Sequence, residues 1–557
     1  MKYVLDLETT GLDAQKCKII GLGDCTEKLK ANYRKWKDID KAKLAKGLLK
    51  DEVIGHNLKF ESKFFIENKL PIPAKPHDTM VLTHLLNENG KHSLEACCQK
   101  YCDIEPWKAE LGDWLKEHDF GPGEYDKVPW EILHKYACGD VRNNMILFQK
   151  TYPMLKSNGF QKLYETEMEV LKILADIENH GVLIDPKIFK KMGPPLRKNL
   201  KKLEKEIYAA AGHEFNINSD KDVPHVLFDE LKLPILYRKK CKTPGKLGNP
   251  DTGKDVLAQL DHPIIKPLLE YRNNSYINSV FCEGIPEKID SNGILRCNFD
   301  QMGASTGRFS CSDPNLQNVP KKSDVRKAFI CREDYYNFYF DYSQMEMAVY
   351  ANFSEDPFMT KTLLGGGDLH TDMARIYWGK QDVSPEERDL VKTLNFAILY
   401  GIGIPGIAKK FRKTTAEAQE IRRRYREAFP VMRSFNQTIS DRVKADGFVQ
   451  NPFGRKRHLE PEGAYRGVNA LVQGSCSDVM KLAMIRMHKM LSSTKSRILI
   501  TIHDELCIEI HKKELDLIPE ITKCLVDFPQ FLIPLKVDIK WTKTNWLEKT
   551  KWTGELK

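Results

Sequence analysis

No run of this 557-residue chain reaches the ~20 uninterrupted apolar residues that a membrane-spanning helix requires, so no such helix is expected. No secretory leader is expected either. Met1-Lys2 passes directly into Tyr3-Val4-Leu5-Asp6, where acidic residues interrupt the apolar stretch. The protein is therefore expected to stay in the cytoplasm, with its 14 cysteines as reduced thiols rather than a disulfide framework. Cys97, Cys98 and Cys102 gather near His92, but adjacent thiols on a helix do not point at one ion, so buried thiols are expected there rather than a zinc site. A strong charge of one sign is also lacking: the net charge of +10 admits a polyanionic partner without requiring one.

What is present is a soluble, globular composition, 41% hydrophobic and 29% charged, in a chain long enough for roughly three or four structural units. The positive charge is concentrated. Arg197, Lys198, Lys201, Lys202 and Lys205 suggest a basic helix, and Arg238, Lys239, Lys240, Lys242 and Lys246 around Pro244-Gly245 suggest a basic loop. Alone, such runs are solvated faces. The segment from Leu163 to Ile177 has helical spacing at Val170, Ile173, Leu174 and Ile177, and Gly181-Val182-Leu183-Ile184-Asp185 breaks it before a second, lysine-rich helix. This middle region holds no candidate nucleophile or metal cluster.

The carboxylates carry more information. Tyr3 to Leu7 reads as a short strand, so Asp6 and Glu8 project from one face. Like charges side by side call for a divalent cation. Tyr136 and Asp140 lie four residues apart in a helical segment, Trp130 to Gln149, placing a phenol and a carboxylate on one helix face. Farther on, Tyr336, Phe338 and Phe340 alternate in a strand that delivers Asp341 at its end, and His503-Asp504-Glu505 forms the turn between strands Ile498 to Ile502 and Leu506 to Ile510. Between them, Ser384, Pro385 and Glu387 start a helix and Gly401-Ile402-Gly403 stops it. That helix carries Arg388, Lys392, Phe396 and Tyr400 at four-residue intervals. Each step drifts about 40°, so all four fall within roughly 120°. Cations followed by rings suit the phosphates, then the sugar and base, of a nucleoside triphosphate.

Two sets of ordered motifs carry a family resemblance. Asp6-Leu7-Glu8-Thr9, His56-Asn57-Leu58-Lys59-Phe60-Glu61 and Tyr136-x-x-x-Asp140 resemble the exonuclease motifs of the DEDDy superfamily. Asp341-Tyr342-Ser343-Gln344-Met345-Glu346, the Arg388-to-Gly401 segment and His503-Asp504-Glu505 resemble motifs A, B and C of family-A DNA polymerases, with Thr306-Gly307-Arg308 and Asp313-Pro314-Asn315-Leu316-Gln317-Asn318 matching the segment before them. The resemblance implies an α/β multidomain protein: an RNase H-like 3′-5′ exonuclease domain at residues 1–155, a thumb at 156–295, a palm at 296–355 and 456–557, and fingers at 356–455. It implies metal ligation by Asp6, Glu8, Glu61 and Asp140, with Tyr136 orienting water, and by Asp341 and Asp504 with Glu505 in support. Two magnesium ions are expected at each site, about 3.5 to 4 Å apart at the polymerase site, with manganese able to substitute.

Nucleotide contacts are expected from Arg388, Lys392, Phe396, Tyr400, His370 and Gln344. Lys392 also becomes a proton donor to pyrophosphate, and Glu346 a steric gate against the ribose 2′-hydroxyl. Arg308, Asn315, Gln317, Asn469, Gln473 and His503 are expected on DNA. The family has aspartate where this chain has Glu61, whose extra methylene shifts the carboxylate by about an ångström. Other departures are Phe396, where some relatives have tyrosine, and Ala348 and Ala397, where many have arginine and glycine. Nothing precedes the exonuclease motifs, so the 5′ nuclease of longer relatives is expected to be absent, as in phage replication enzymes, in which case the compartment is the host cytoplasm. The expected partners are primer-template DNA and deoxynucleoside triphosphates, with a replicative helicase, primase or single-strand-binding protein beside them. A repair or translesion polymerase with a weak exonuclease, a single-subunit RNA polymerase and a DNA-binding scaffold are the competing readings.

Overall fold

The chain's structure, a computed structural model, describes residues 1–121, 123–239, 247–411 and 413–556. Lys240, Lys242, Lys246 and the Pro244-Gly245 pair of the expected basic loop lie outside the described residues.

The N-terminal unit is a five-stranded sheet. Its strands are β1 (Lys2–Thr9), β2 (Ile19–Thr26), β3 (Ala31–Lys35), β4 (Glu52–Gly55) and β5 (Lys75–Asp78), in the order β3-β2-β1-β4-β5. β1 pairs antiparallel with β2 and parallel with β4, so it is central, and Val4, Leu5 and Leu7 are buried. Helices α1 (Leu58–Glu67) and α2 (Trp130–Ser157) cover the sheet. Gly23 on β2 allows α2 to lie close, since a Cβ there would come 2.9 Å from Val141 Cγ1. That close approach brings Asp140 over the end of β1.

Helix α3 (Gln161–His180), in the segment that the resemblance assigns to the start of the thumb, serves two cores. Leu163, Tyr164, Met168 and Leu171 pack into the N-terminal core, whereas Val170, Ile173, Leu174 and Ile177 pack into the large C-terminal core. An amphipathic pattern reveals that a helix is buried but not against which neighbour. A separate small core forms between α4 (Pro186–Ala211) and residues 217–228 and 257–271, through Leu203, Ile207, Leu227, Leu257 and Leu268. On α4, Leu203 and Ile207 face inward while Arg197, Lys198, Lys201, Lys202 and Lys205 are exposed, so the basic helix is real.

The C-terminal unit is built on an antiparallel sheet of β6 (Tyr335–Tyr342), β7 (Arg497–Ile502), β8 (Glu505–His511), β9 (Val537–Thr542) and β10 (Thr550–Lys551), in the order β7-β8-β6-β9-β10. On β6, Asn337, Phe338, Tyr339 and Phe340 are all buried. Trp541 stacks on Phe338 and Trp546 on Tyr339, covering opposite faces of the central strand. Between the two halves of this unit the chain is mostly helical, with a short hairpin of Phe448–Gln450 and Lys456–His458, and includes α5 (Pro385–Leu399), which has the expected capping box at Ser384 and Glu387. Helix α6 (Gly467–Leu491) is buried almost all round and packs against α3. The described cysteines are all free thiols, with Cys97 and Cys98 buried as expected.

Candidate active sites

The first site forms where β1 meets α2. Ligand oxygens of Asp6, Glu8 and Asp140 lie within 4.8 Å of one another, the one group of three or more metal-ligating side chains found among the described residues. Glu8 is 4% exposed. Burial, then the Asp140 charge, raises the Asp6 pKa to about 7, and burial and the neighbouring carboxylates push Glu8 well above its ordinary range. Glu61 on α1 is buried beside Asp6 but stands outside this three-carboxylate set; burial followed by the Asp6 charge raises its pKa too. Glu8 Oε1 and Glu61 Oε2 are buried without a hydrogen-bond partner. Orphaned hard oxygens under like-charge repulsion are the donor set of a magnesium- or manganese-type ion, so the residues fit the metal the motifs imply.

Tyr136 lies one turn before Asp140, and its ring is 6.0 Å from that of Tyr125. Burial, then Asp140, raises its pKa. Asp78 escaped the sequence reading because its role is local. Its carboxylate accepts the backbone N–H groups of Asn57 and Leu58 and of Met80 and Val81, capping α1 and the helix Thr79–Leu86 together. Trp107 and Lys108 were also missed: the indole Nε1–H donates to Asp140 Oδ1 at 2.5 Å and Lys108 Nζ to Oδ2 at 3.2 Å.

The second site forms at the tips of β6 and β8. Asp341 sits opposite Glu505 in register, and Tyr342 N–H donates to the Asp504 carbonyl at 3.1 Å, so segments far apart in sequence are stitched backbone to backbone. His503 at the turn adopts a left-handed φ of 55°. Loss of surrounding water in the cleft, then the Glu505 and Asp504 charges, raises the Asp341 pKa to about 6. These carboxylates are spread by cations. Arg308 Nη2 donates to Glu346 Oε1 at 2.5 Å and to Asp504 Oδ1 at 3.2 Å, and Lys549 Nζ holds Glu505 Oε2 at 3.0 Å. No sequence spacing pointed to Lys549, which lies on the chain after β9.

On α5, Arg388 pairs with Asp368, and Lys392 is exposed with no carboxylate within ion-pair distance among the described residues. Phe396 and Tyr400 stack with ring centroids 6.2 Å apart, and the buried Tyr400 hydroxyl has no partner. His370 is 1% exposed, its Nδ1 meets Asn395 Nδ2 at 3.0 Å and its ring lies against Phe396. Burial lowers its pKa to about 4, which favours the neutral imidazole beside the aromatic face. Gln344 Oε1 likewise accepts from Leu369 N–H at 2.9 Å and anchors a neighbouring helix. Asn315 caps its own turn by accepting from Gln317 N–H, while Asn469 Oδ1 on α6 is buried without a partner and Gln473 is half-buried one turn on.

The model of DNA polymerase family A matches residues 186–548, and that of a 3′-5′ exonuclease matches residues 3–156. The chain belongs to DNA polymerase family A. The matched regions contain the carboxylates of both sites described above. Similar family-A relatives include DNA polymerase I of Synechocystis sp., 29% identical over 98% of this chain and 59% of its own length, and DNA polymerase I of Caldicellulosiruptor bescii, 34% identical over 72% and 49%. The chain thus spans between about half and three-fifths of these relatives. Among solved structures, the polymerase domain of Pol1 from M. smegmatis, in complex with DNA primer-template and dNTP, superposes with a TM-score of 0.84 over 97% of this chain and 95% of that one at 24% identity, which shows a shared fold.

Proposed function

We propose that this family-A chain is a template-directed DNA polymerase that extends a primer 3′ end and proofreads it with a 3′-5′ exonuclease. The observation that carries the reading is the joining of the Asp341 and Asp504 segments through the Tyr342 N–H to Asp504 carbonyl hydrogen bond, in a chain whose helix α5 and its C-cap offer Arg388, Lys392, Phe396 and Tyr400. The relatives' name and the ligands of the solved neighbour support it.

Divalent magnesium, or manganese in its place, held by Asp341 and Asp504 with Glu505 beside them, would supply charge neutralisation at the reacting phosphate. The chain's own groups do the rest. Arg388 and Lys392 bind the triphosphate, and Lys392 passes a proton to departing pyrophosphate. Phe396 and Tyr400 together offer a stacked aromatic face to the sugar and base, with Tyr400 near the templating base. Glu346, fixed by Arg308, fills the space a 2′-hydroxyl would need. Arg308, Asn315, Gln317, Asn469, Gln473 and His503 face primer-template DNA, using acceptors common to all base pairs in the minor groove. The exposed lysines of α4 grip phosphates independently of sequence.

At the first site Asp6, Glu8 and Asp140, with Glu61 behind them, hold the metal, and Tyr136 orients water toward the terminal phosphodiester. The domain limits are those given by the motifs: exonuclease 1–155, thumb 156–295, palm 296–355 and 456–557, fingers 356–455. The setting is cytoplasmic replication with a helicase, primase or single-strand-binding partner. A 5′-labelled primer-template with magnesium tests the reading. Extension with deoxynucleotides and 3′ shortening without them is expected; a folded protein that does not extend the primer overturns it.

A further inference from the structure

Lys59 belongs to a motif of the first site, yet its ammonium reaches the other unit. On α1 it stands two residues before Glu61, a spacing that turns the two side chains about 200° apart, so Glu61 lies beside Asp6 while Lys59 points at the C-terminal unit. The Lys59 side chain is 11% exposed. Its Nζ donates to Glu178 Oε1 at 2.5 Å, to Asn298 Oδ1 at 2.9 Å and to the Phe299 carbonyl. Glu178, fully buried on α3, also accepts the Phe299 N–H at 2.7 Å and pairs with Lys63 at 2.9 Å.

Residues 298–308 run from this anchor to the second site as a strap. They start in a hairpin of Asn298–Asp300 against Ser310–Ser312. Gln301 Nε2 donates to Glu167 Oε2 at 2.8 Å, and the Gln301 carbonyl accepts from Lys481 Nζ at 3.3 Å. Gly307, with a left-handed φ of 82°, is pressed on Arg455, where a Cβ would come 2.7 Å from Cζ, and its carbonyl accepts from the Ser477 hydroxyl. The next residue is Arg308, which holds Glu346. Glu167 and Glu178 are three turns and about 20° apart on α3, so one face of one helix carries both carboxylates that hold the strap. Among the described residues, Lys59 is the one side chain of residues 1–155 that hydrogen-bonds to it. Buried polar groups paired this fully have a single arrangement. Pinned at 299, 301 and 307, the strap leaves Arg308 little freedom.

We propose that Lys59 is a positioning residue for primer extension: through the strap it fixes Arg308 against the primer end, so a residue of the exonuclease region sets the grip of the polymerase site. Lys59 makes and breaks no bond in the reaction. Loss of its ammonium removes three donations at one end of the strap and lets the hairpin drift from α1, and a displacement of about an ångström at the far end is enough to slow the reaction by tenfold or more. The proposal rests on the polymerase reading for what Arg308 touches, but not for the pinning itself.

The test uses the full chain and has two readouts. One is addition of a single deoxynucleotide to saturating primer-template whose primer ends in a phosphorothioate linkage to resist 3′ shortening; the other is hydrogen exchange of the 301–308 amides, read by mass spectrometry. Lys59→Met should lower kcat by about tenfold or more while KM for the deoxynucleotide stays within about twofold, and Lys59→Arg should restore part of the rate. In an Arg308→Ala background, Lys59→Met should cost less than about twofold, because its effect runs through Arg308. The 301–308 amides should exchange at least about tenfold faster in Lys59→Met than in the parent. Thermal melts verify folding. If Lys59→Met does not fold, Lys59→Met combined with Glu178→Gln takes its place, since both buried charges then go and Lys63, 24% exposed, can turn to water. An unchanged kcat in Lys59→Met, or a loss of the same factor with and without Arg308, overturns the proposal. A parent that extends no primer, with faster 301–308 exchange in Lys59→Met, supports Lys59 as the pin of the strap and overturns the polymerase reading alone.

Discussion

Glu167→Gln provides a demanding test of how the two units are held. Glu167 lies on α3 and is 2% exposed. Its Oε1 accepts from Arg455 Nη2 and from Lys481 Nζ at 2.7 Å, and its Oε2 accepts from Gln301 Nε2 at 2.8 Å. Arg455 also pairs with Asp478 through Nε at 3.0 Å and Nη2 at 2.6 Å. Removing the Glu167 charge leaves two buried cations facing one carboxylate, and loss of one partner from a buried pair costs about 3–5 kcal/mol. A second route gives the same scale. Despite burial, Lys481 and Arg455 bring the Glu167 pKa down from 4.5 to about 2, and at 1.36 kcal/mol per unit that is about 3 kcal/mol. Lys481 points to the lower figure: burial and Arg455 lower its own pKa, so it can shed its proton when Glu167 is lost.

The measurement is urea unfolding followed by tryptophan fluorescence, comparing the first cooperative transition of parent and variant. A loss of about 3 kcal/mol is expected at pH 7. Because the folded pKa lies below the unfolded one, this stabilisation is complete above about pH 4.5 and disappears as pH falls through about 2, so parent and variant should converge in that window. Adding Lys481→Met to Glu167→Gln should recover part of the loss, since an unpaired buried cation is removed. A single variant within ~0.5 kcal/mol of the parent, with no pH dependence in the difference, refutes the reasoning.

Asp504→Ala should abolish primer extension while 3′ shortening continues, because the two carboxylate groups lie on separate sheets; loss of both activities in a folded variant refutes that separation. Glu346→Ala should raise ribonucleotide incorporation, read as the ratio of kcat/KM values for the two sugars, and an unchanged ratio removes the gate assignment. Glu61→Asp should speed 3′ shortening by about tenfold or more by correcting a carboxylate offset of about an ångström, at a cost of about 1 kcal/mol for the buried methylene; an unchanged rate means that Glu61 is already well placed.

The sequence was most readable where backbone geometry alone joins residues. The Ser384 capping box, the helix face from Arg388 to Tyr400, the β1 pair Asp6 and Glu8 and the β7–β8 turn all follow from local periodicity. Residues that act across the fold were silent. Nothing about Lys549, Glu167 or Trp107 in the chain foretells a partner tens or hundreds of positions away, because ion pairs and indole hydrogen bonds have no period. The burial of His370 was equally silent: its pKa is lowered to about 4 by an environment that one sequence does not reveal.

Helix α3 carries a practical consequence. Leu163, Tyr164, Met168 and Leu171 lean on the N-terminal sheet while the next turns are embedded beside α6. The two units therefore share one stiff axle, and neither can swing toward the other without unpacking a core. If the proposed function holds, a mispaired end would have to melt and travel from the second site to the first, because neither unit moves to meet it. A fragment cut ahead of α3 to dispense with proofreading would expose that leucine-rich flank to water, and it would need polar replacements there before it stayed in solution.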